Sequence, residues 1–159
     1  MPEQADRQEG LTILKEVLSP DAGENIVKRI KEQAEERKYS GLGMAVNAAH
    51  ELLGSLATGN GAHVDQLAVI EGKIKTVLAT HRSVSVQAAY MKTNGRTRED
   101  YNGKLGGLIP GGVAIFKDPE LKIFVGAAAY GGGPADQDEI IVRQAIEQEG
   151  LFTDLPKQG

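Results

Sequence analysis

The amino-acid sequence predicts an α+β fold, an antiparallel sheet flanked by helices. Three observations predict it. Ala22, Ile26, Ile30 and Ala34 recur every four residues with charged residues between them, the pattern of an amphipathic helix. Leu42, Met44, Val46 and Ala48 alternate instead, the period of a half-buried strand. Val113–Phe116 and Ile123–Ala129 are joined by the short turn Lys117-Asp118-Pro119-Glu120, which closes a hairpin and is too short for a parallel crossover.

The elements follow in order. Met1–Gly10 is polar and is expected to be a tail, and Leu11–Leu18 a short helix. Ser19-Pro20 opens the first long helix as a cap followed by proline at the first helical position. That helix runs to about Lys38 and stops before Gly41. The strand from Leu42 turns at Ala49-His50-Glu51 into a hairpin partner, Leu52–Thr58, and Gly59-Asn60-Gly61 breaks the chain. Leu67, Ile70, Ile74, Val77 and Leu78 give a central helix over Val64–Thr80, and Ser83–Met91 gives a shorter one. Lys92–Lys104, with Asn94-Gly95 and Asn102-Gly103, is expected to be a surface loop. Asp136–Gln148 is the last helix, with Ile140, Ile141, Ala145 and Ile146 facing inward. In this register Ile115 and Ile123 both enter the core, so aspartate at either position should unfold the domain.

Composition bounds the function. A chain of 159 residues points to a single domain over 1–159, with a core at about 18–150 and a second tail at 151–159. Aromatic residues make up only 4% and tryptophan is absent, so the core is built from Ile, Val, Leu and Ala. A net charge of −4 carries no basic footprint, which argues against a nucleic-acid partner. Lack of cysteine excludes disulfides, thiolate metal sites and a thiol nucleophile. No basic start leads into an apolar run, and nothing approaches the ~20 residues of a membrane span. A cytoplasmic location and no membrane partner are the expectations.

Three segments carry a resemblance. The first is Val125-Gly126-Ala127-Ala128-Ala129-Tyr130-Gly131-Gly132-Gly133-Pro134-Ala135-Asp136-Gln137-Asp138-Glu139, a strand, a glycine turn and an acidic helix start. The second is Gly106-Gly107-Leu108-Ile109-Pro110-Gly111-Gly112-Val113-Ala114-Ile115, and the third Gly72-Lys73-Ile74-Lys75-Thr76. Together they resemble the GlcG/HbpS-like (haem-degrading domain) family, which is similar to the C-terminal domain of PduO-type proteins. The order of elements from about Leu18 to Gly150 agrees. Asn47, Ala48, Ala49 and His50 depart from the Asp-Ala-Gly-Gly usual in the family, and Asn60, Gly61, Ala62 and His63 from Asp-Gly-Ala-Pro. The resemblance implies a five-stranded antiparallel sheet of the profilin/PAS-like kind. It also implies a small-molecule ligand, with haem a possible cofactor and an organic-acid metabolite another candidate, and a homo-oligomer, a dimer or larger ring.

The candidate ligand-binding residues are Lys73, Pro110, Gly111, Gly112, Gly131, Gly132 and Gly133. Glycines let a ligand approach the backbone closely, and the N–H groups of the following helix suit a carboxylate. A plain reading sits beside each: the turn is simply tight and capped by Asp136, and Lys73 is a solvated helix residue. Asp136, Asp138 and Glu139 are explained by the helix dipole alone, and no metal ligand set is defined. His50 and His63 are the candidate catalytic residues, able to exchange a proton near neutral pH or to ligate iron, or else simply exposed. His81 is expected at a helix C-terminus. Lys92, Arg96, Arg98, Tyr101 and Lys104 form a mildly basic loop, either a lid over an acidic ligand or a solvated segment. Three functions follow: a small-ligand-binding protein; an isomerase, lyase or hydrolase that uses histidine acid/base chemistry on a small carbonyl or carboxylate compound in a catabolic pathway; or a structural accessory subunit of a catabolic assembly.

Overall fold

The computed structural model describes residues 16–157. The expected helix at Leu11–Leu18 lies mostly outside them, and its last residues, 16–18, are not helical. Four helices and four strands follow in the order α1 (Pro20–Glu36), β1 (Gly41–Asn47), β2 (Leu52–Thr58), α2 (Val64–Thr80), α3 (Val84–Thr93), β3 (Gly112–Phe116), β4 (Phe124–Gly131) and α4 (Ala135–Gln148). Ser19 caps α1 as its sequence requires, its Oγ accepting from the Ala22 N–H at 3.1 Å with Pro20 just inside.

The sheet is antiparallel throughout, in the order β2-β1-β4-β3. Among the described residues it has four strands, not five. A single pair of residues, Phe116 and Phe152, bridges beyond β3, so the C-terminal segment touches the sheet edge without becoming a strand. Both faces are covered. Ile26, Ile30 and Ala34 of α1 and Ile141, Val142 and Ile146 of α4 pack on Ala45, Val113, Ile115 and Tyr130. Ile70, Ile74 and Val77 of α2 pack on Met44, Val46, Ala114 and Ala129.

That double cover corrects the half-buried reading of β1. The alternation at Leu42, Met44 and Val46 is one of size, not polarity. Gly43 and Ala45 face α1, where a Cβ on Gly43 would stand 2.9 Å from Ile30. The hairpin at Lys117–Glu120 forms, but β4 begins at Phe124. Ile123 is left 38% exposed, whereas Ile115 is fully buried. An aspartate is therefore expected to unfold the domain at Ile115 and to cost less at Ile123.

Candidate functional site

The glycine turns and the central helix do meet. β3 starts late, at Gly112, and just before it the sheet no longer separates the two helical layers. There Lys73 of α2 and Asp138 of α4 reach each other, Nζ to Oδ2 at 3.8 Å, with both side chains almost wholly buried. Lys73 Nζ donates to the Tyr130 carbonyl at 3.0 Å. The Asp138 carboxylate accepts from the Gly133 N–H at 2.9 Å, folding the glycine turn down onto the helix that follows it. Gly111 makes room for the meeting. With φ at +131°, a Cβ there would sit 2.5 Å from Lys73 Nζ and 2.7 Å from the Tyr130 carbonyl oxygen. Burial pushes the Asp138 carboxyl up to about 6 and pulls the Lys73 ammonium down, each partly offset by the other's charge.

The second feature is an apolar groove of about 680 Å³ on the other side of α2. Met44, Val46 and Leu52 form one wall, and Ile74, Leu78 and Ala79 the other. His50, Glu71, Lys75 and Lys104 stand at its rim. His50 is placed by its turn. Asn47 Oδ1 accepts from the N–H groups of Ala49 and Glu51, at 2.9 and 3.0 Å, and its amide donates to Glu51 Oε1. The loop so closed holds His50 at φ +67°, a conformation that most residues avoid. Lys75 is steadied by donating to the Gly103 carbonyl at 3.0 Å, which also fixes the segment carrying Lys104.

Residues 18–147 match the family model described as haem degrading protein, HbpS-like. The chain belongs to that family. Three solved structures share the HbpS-like fold. The PduOC–haem complex aligns with a TM-score of 0.72 at 19% identity, over 87% of this chain and 99% of that one. A double mutant of Streptomyces reticuli HbpS gives 0.72 at 18% identity, over 87% and 91%. The Klebsiella pneumoniae protein ORFY gives 0.73 at 14% identity, over 91% and 97%. No curated protein matches the chain in sequence.

Within this HbpS-like domain, Lys73, Gly111, Gly131 and Gly133 come together around Asp138. Gly112 lies beside them, against Lys73 and Val84, while Gly132 is exposed and Pro110 half-buried. Lys73 is not solvated, and Asp138 rather than Asp136 bonds the turn. His50 and His63 are not brought together. His63 is exposed at the N-cap of α2, where its N–H donates to Gln66 Oε1 at 2.9 Å. His50 lies at the opposite end of β2, whose seven residues span about 20 Å. His81 ends α2 in the left-handed conformation at φ 56° and stacks on Phe124, ring centres 4.0 Å apart. The basic loop is solvent-exposed over residues 92–100, and Arg98 donates to the Gly106 carbonyl at 2.7 Å. Among the described residues no group of three or more histidine, aspartate or glutamate side chains is placed to hold a metal. None of their helices is long and apolar enough to cross a membrane. Sequence patterns did not point to the groove, because its walls come from alternating positions on three elements. Asn47 was the available signal, since an asparagine two residues before an exposed turn residue favours such a loop.

Proposed function

We propose that this HbpS-like chain binds a flat, largely apolar small molecule with acidic edges, and that haem is its ligand. One observation carries the reading: an imidazole is held at the rim of an apolar groove with two lysines beside it. The groove volume falls within the roughly 300–1,000 Å³ usual for small-ligand sites. The donor set fits haem. His50 would hold the iron, Lys75 and Lys104 would meet the propionates, and Met44, Val46, Leu52, Ile74 and Leu78 would cover the ring. Bound there, haem supplies an iron centre, while the chain supplies apolar contact, orientation and charge pairing. The PduOC–haem complex and the family description support the same ligand class. The neutral, aliphatic character of the walls disfavours a small hydrophilic organic acid in this groove.

Titrating haem into the purified protein should give a shifted Soret band, and His50→Ala should weaken binding by about tenfold or more and change the band's shape. Replacing Lys75 and Lys104 together by Ala should weaken binding of both haem and iron-free protoporphyrin, since their role is to meet the carboxylates. A His50→Ala variant that binds haem with unchanged affinity and spectrum would rule out the groove as the haem site.

A further inference from the structure

The sequence holds three Asn-Gly steps, Asn60-Gly61, Asn94-Gly95 and Asn102-Gly103, and all three asparagines are exposed. Such a step can rearrange unaided, because glycine has no Cβ to keep its backbone nitrogen away from the preceding side chain. Hydrogen bonds decide which of the three is free to do so. The Gly61 N–H, whose nitrogen would attack, donates to the Thr58 carbonyl at 3.0 Å. The Asn94 side-chain amide donates to the Tyr90 carbonyl at 2.8 Å, which holds the carbon to be attacked. At the third step neither the Asn102 side chain nor the Gly103 N–H has a hydrogen-bond partner among the described residues. Gly103, at φ +75°, has open space where a Cβ would stand, so the peptide that joins it to Asn102 can rotate into line.

This third step lies at the groove. Gly103 and Lys104 line it with Lys75, and Lys75 donates to the Gly103 carbonyl at 3.0 Å. Among the described residues, Glu71 is the only carboxylate in the lining. A second negative charge one residue from Gly103 would therefore offset much of what the two lysines supply.

We propose that Asn102-Gly103 is a site of spontaneous deamidation, and that its product sets a carboxylate beside Lys75 and Lys104 and weakens the groove's hold on acidic ligands. The Gly103 nitrogen attacks Asn102 Cγ, and a C–N bond forms to close a five-membered imide. The bond from Cγ to Nδ2 breaks, and Nδ2 leaves as ammonia with the proton from the Gly103 N–H. Water then opens the ring at either carbonyl, giving aspartate or, with the backbone rerouted through the side chain, isoaspartate. No oxidant or reductant takes part. The modification is independent of what the groove binds, while its effect on a ligand rests on the haem reading of the groove.

Two measurements test it. Purified natural chain is aged at mildly alkaline pH and mapped by peptide mass spectrometry, with isoaspartate read by methyltransferase labelling. Asn102 should convert before Asn60 and Asn94, and Gly103→Ala should slow that conversion by about tenfold or more. An Asn102 that stays an amide, or that converts after either of the others, would overturn the site. Separately, Asn102→Asp is titrated with iron-free protoporphyrin beside the natural chain, with circular dichroism to confirm its fold. It should bind about two- to fivefold more weakly, the range of an exposed charge interaction, and the difference should shrink at high salt. Equal affinity would overturn the effect on the groove. A natural chain that binds neither haem nor protoporphyrin would overturn the groove reading and this effect together, and the mass map would still decide the modification.

Discussion

At the scale of single residues, the Lys73–Asp138 pair makes the clearest demands. Its ionised form is buried and expensive, which is why the Asp138 carboxyl titrates near 6 instead of 3.8. Between about pH 4 and 6 the folded chain keeps a proton at Asp138 that the unfolded chain has released, so this group makes stability fall as pH rises through that window. Asp138→Asn keeps the acceptor for the Gly133 N–H and removes the titration. It should flatten that part of the stability curve, measured by denaturant unfolding at a series of pH values. Lys73→Met should cost about 3–5 kcal/mol at pH 8, where it strands a buried carboxylate, and clearly less at pH 5, where the carboxylate is neutral. An equal loss at both pH values would mean that packing, not charge, is what Lys73 supplies. The sequence singled out Lys73 and the glycines because they carry the resemblance, and the structure gathers Lys73, Gly111, Gly131 and Gly133 around Asp138. Sequence alone left Asp138 to the helix dipole, since nothing in a sequence says that β3 starts late enough for α2 and α4 to meet. His50 makes a separate case. Its left-handed backbone costs on the order of 1 kcal/mol that glycine would not. His50→Gly should therefore raise the melting temperature while weakening haem binding and changing the shape of the Soret band, as expected if the imidazole is kept for binding.

At the scale of elements, boundaries were legible where a local device sets them. Ser19-Pro20 starts α1, Gly59-Asn60-Gly61 separates β2 from α2, and the spacing of Ile70, Ile74 and Val77 gives α2 its length. What was not legible is how elements are joined. The segment after α3 looks polar and free, yet it is fastened to α2 by backbone contacts. The Gly107 N–H donates to the Gly72 carbonyl at 2.8 Å. Thr76 Oγ1 donates to the Gly107 carbonyl at 2.8 Å and accepts from the Gly106 N–H at 2.9 Å. Gly72 and Gly106 permit the approach, since a Cβ on Gly106 would stand 2.1 Å from the Gly72 carbonyl oxygen. Thr76→Val preserves shape and removes both hydroxyl bonds. It should cost about 1–3 kcal/mol and speed hydrogen exchange at Gly106 and Gly107 selectively, which amide exchange by mass spectrometry or NMR reads directly. Unchanged exchange there would show that the glycine contact alone holds the segment.

At the scale of the whole molecule, the α+β class and the antiparallel sheet were readable, and the fifth strand was not there to be read. The two edges of the sheet are treated differently. At β3, Phe116 exchanges both backbone bonds with Phe152, at 2.8 and 3.0 Å, and the Ala114 N–H donates to Ser83 Oγ at 3.0 Å. Asp154 holds this arrangement by accepting from the Ser83 N–H at 2.9 Å and from its hydroxyl. At β2, Leu52–Thr58 carries no charge and no proline, and its edge is met by Lys31 Nζ at the Ala57 carbonyl. A body with one open edge can join at most one neighbour through it, and growth then stops. Remove the residues after Gly150 and both edges open, one at each end of the sheet. Each molecule then offers a head and a tail that can be joined without limit, the condition for a filament rather than a closed assembly. The truncated chain should form thioflavin-positive or light-scattering polymers under conditions where the full chain stays dispersed.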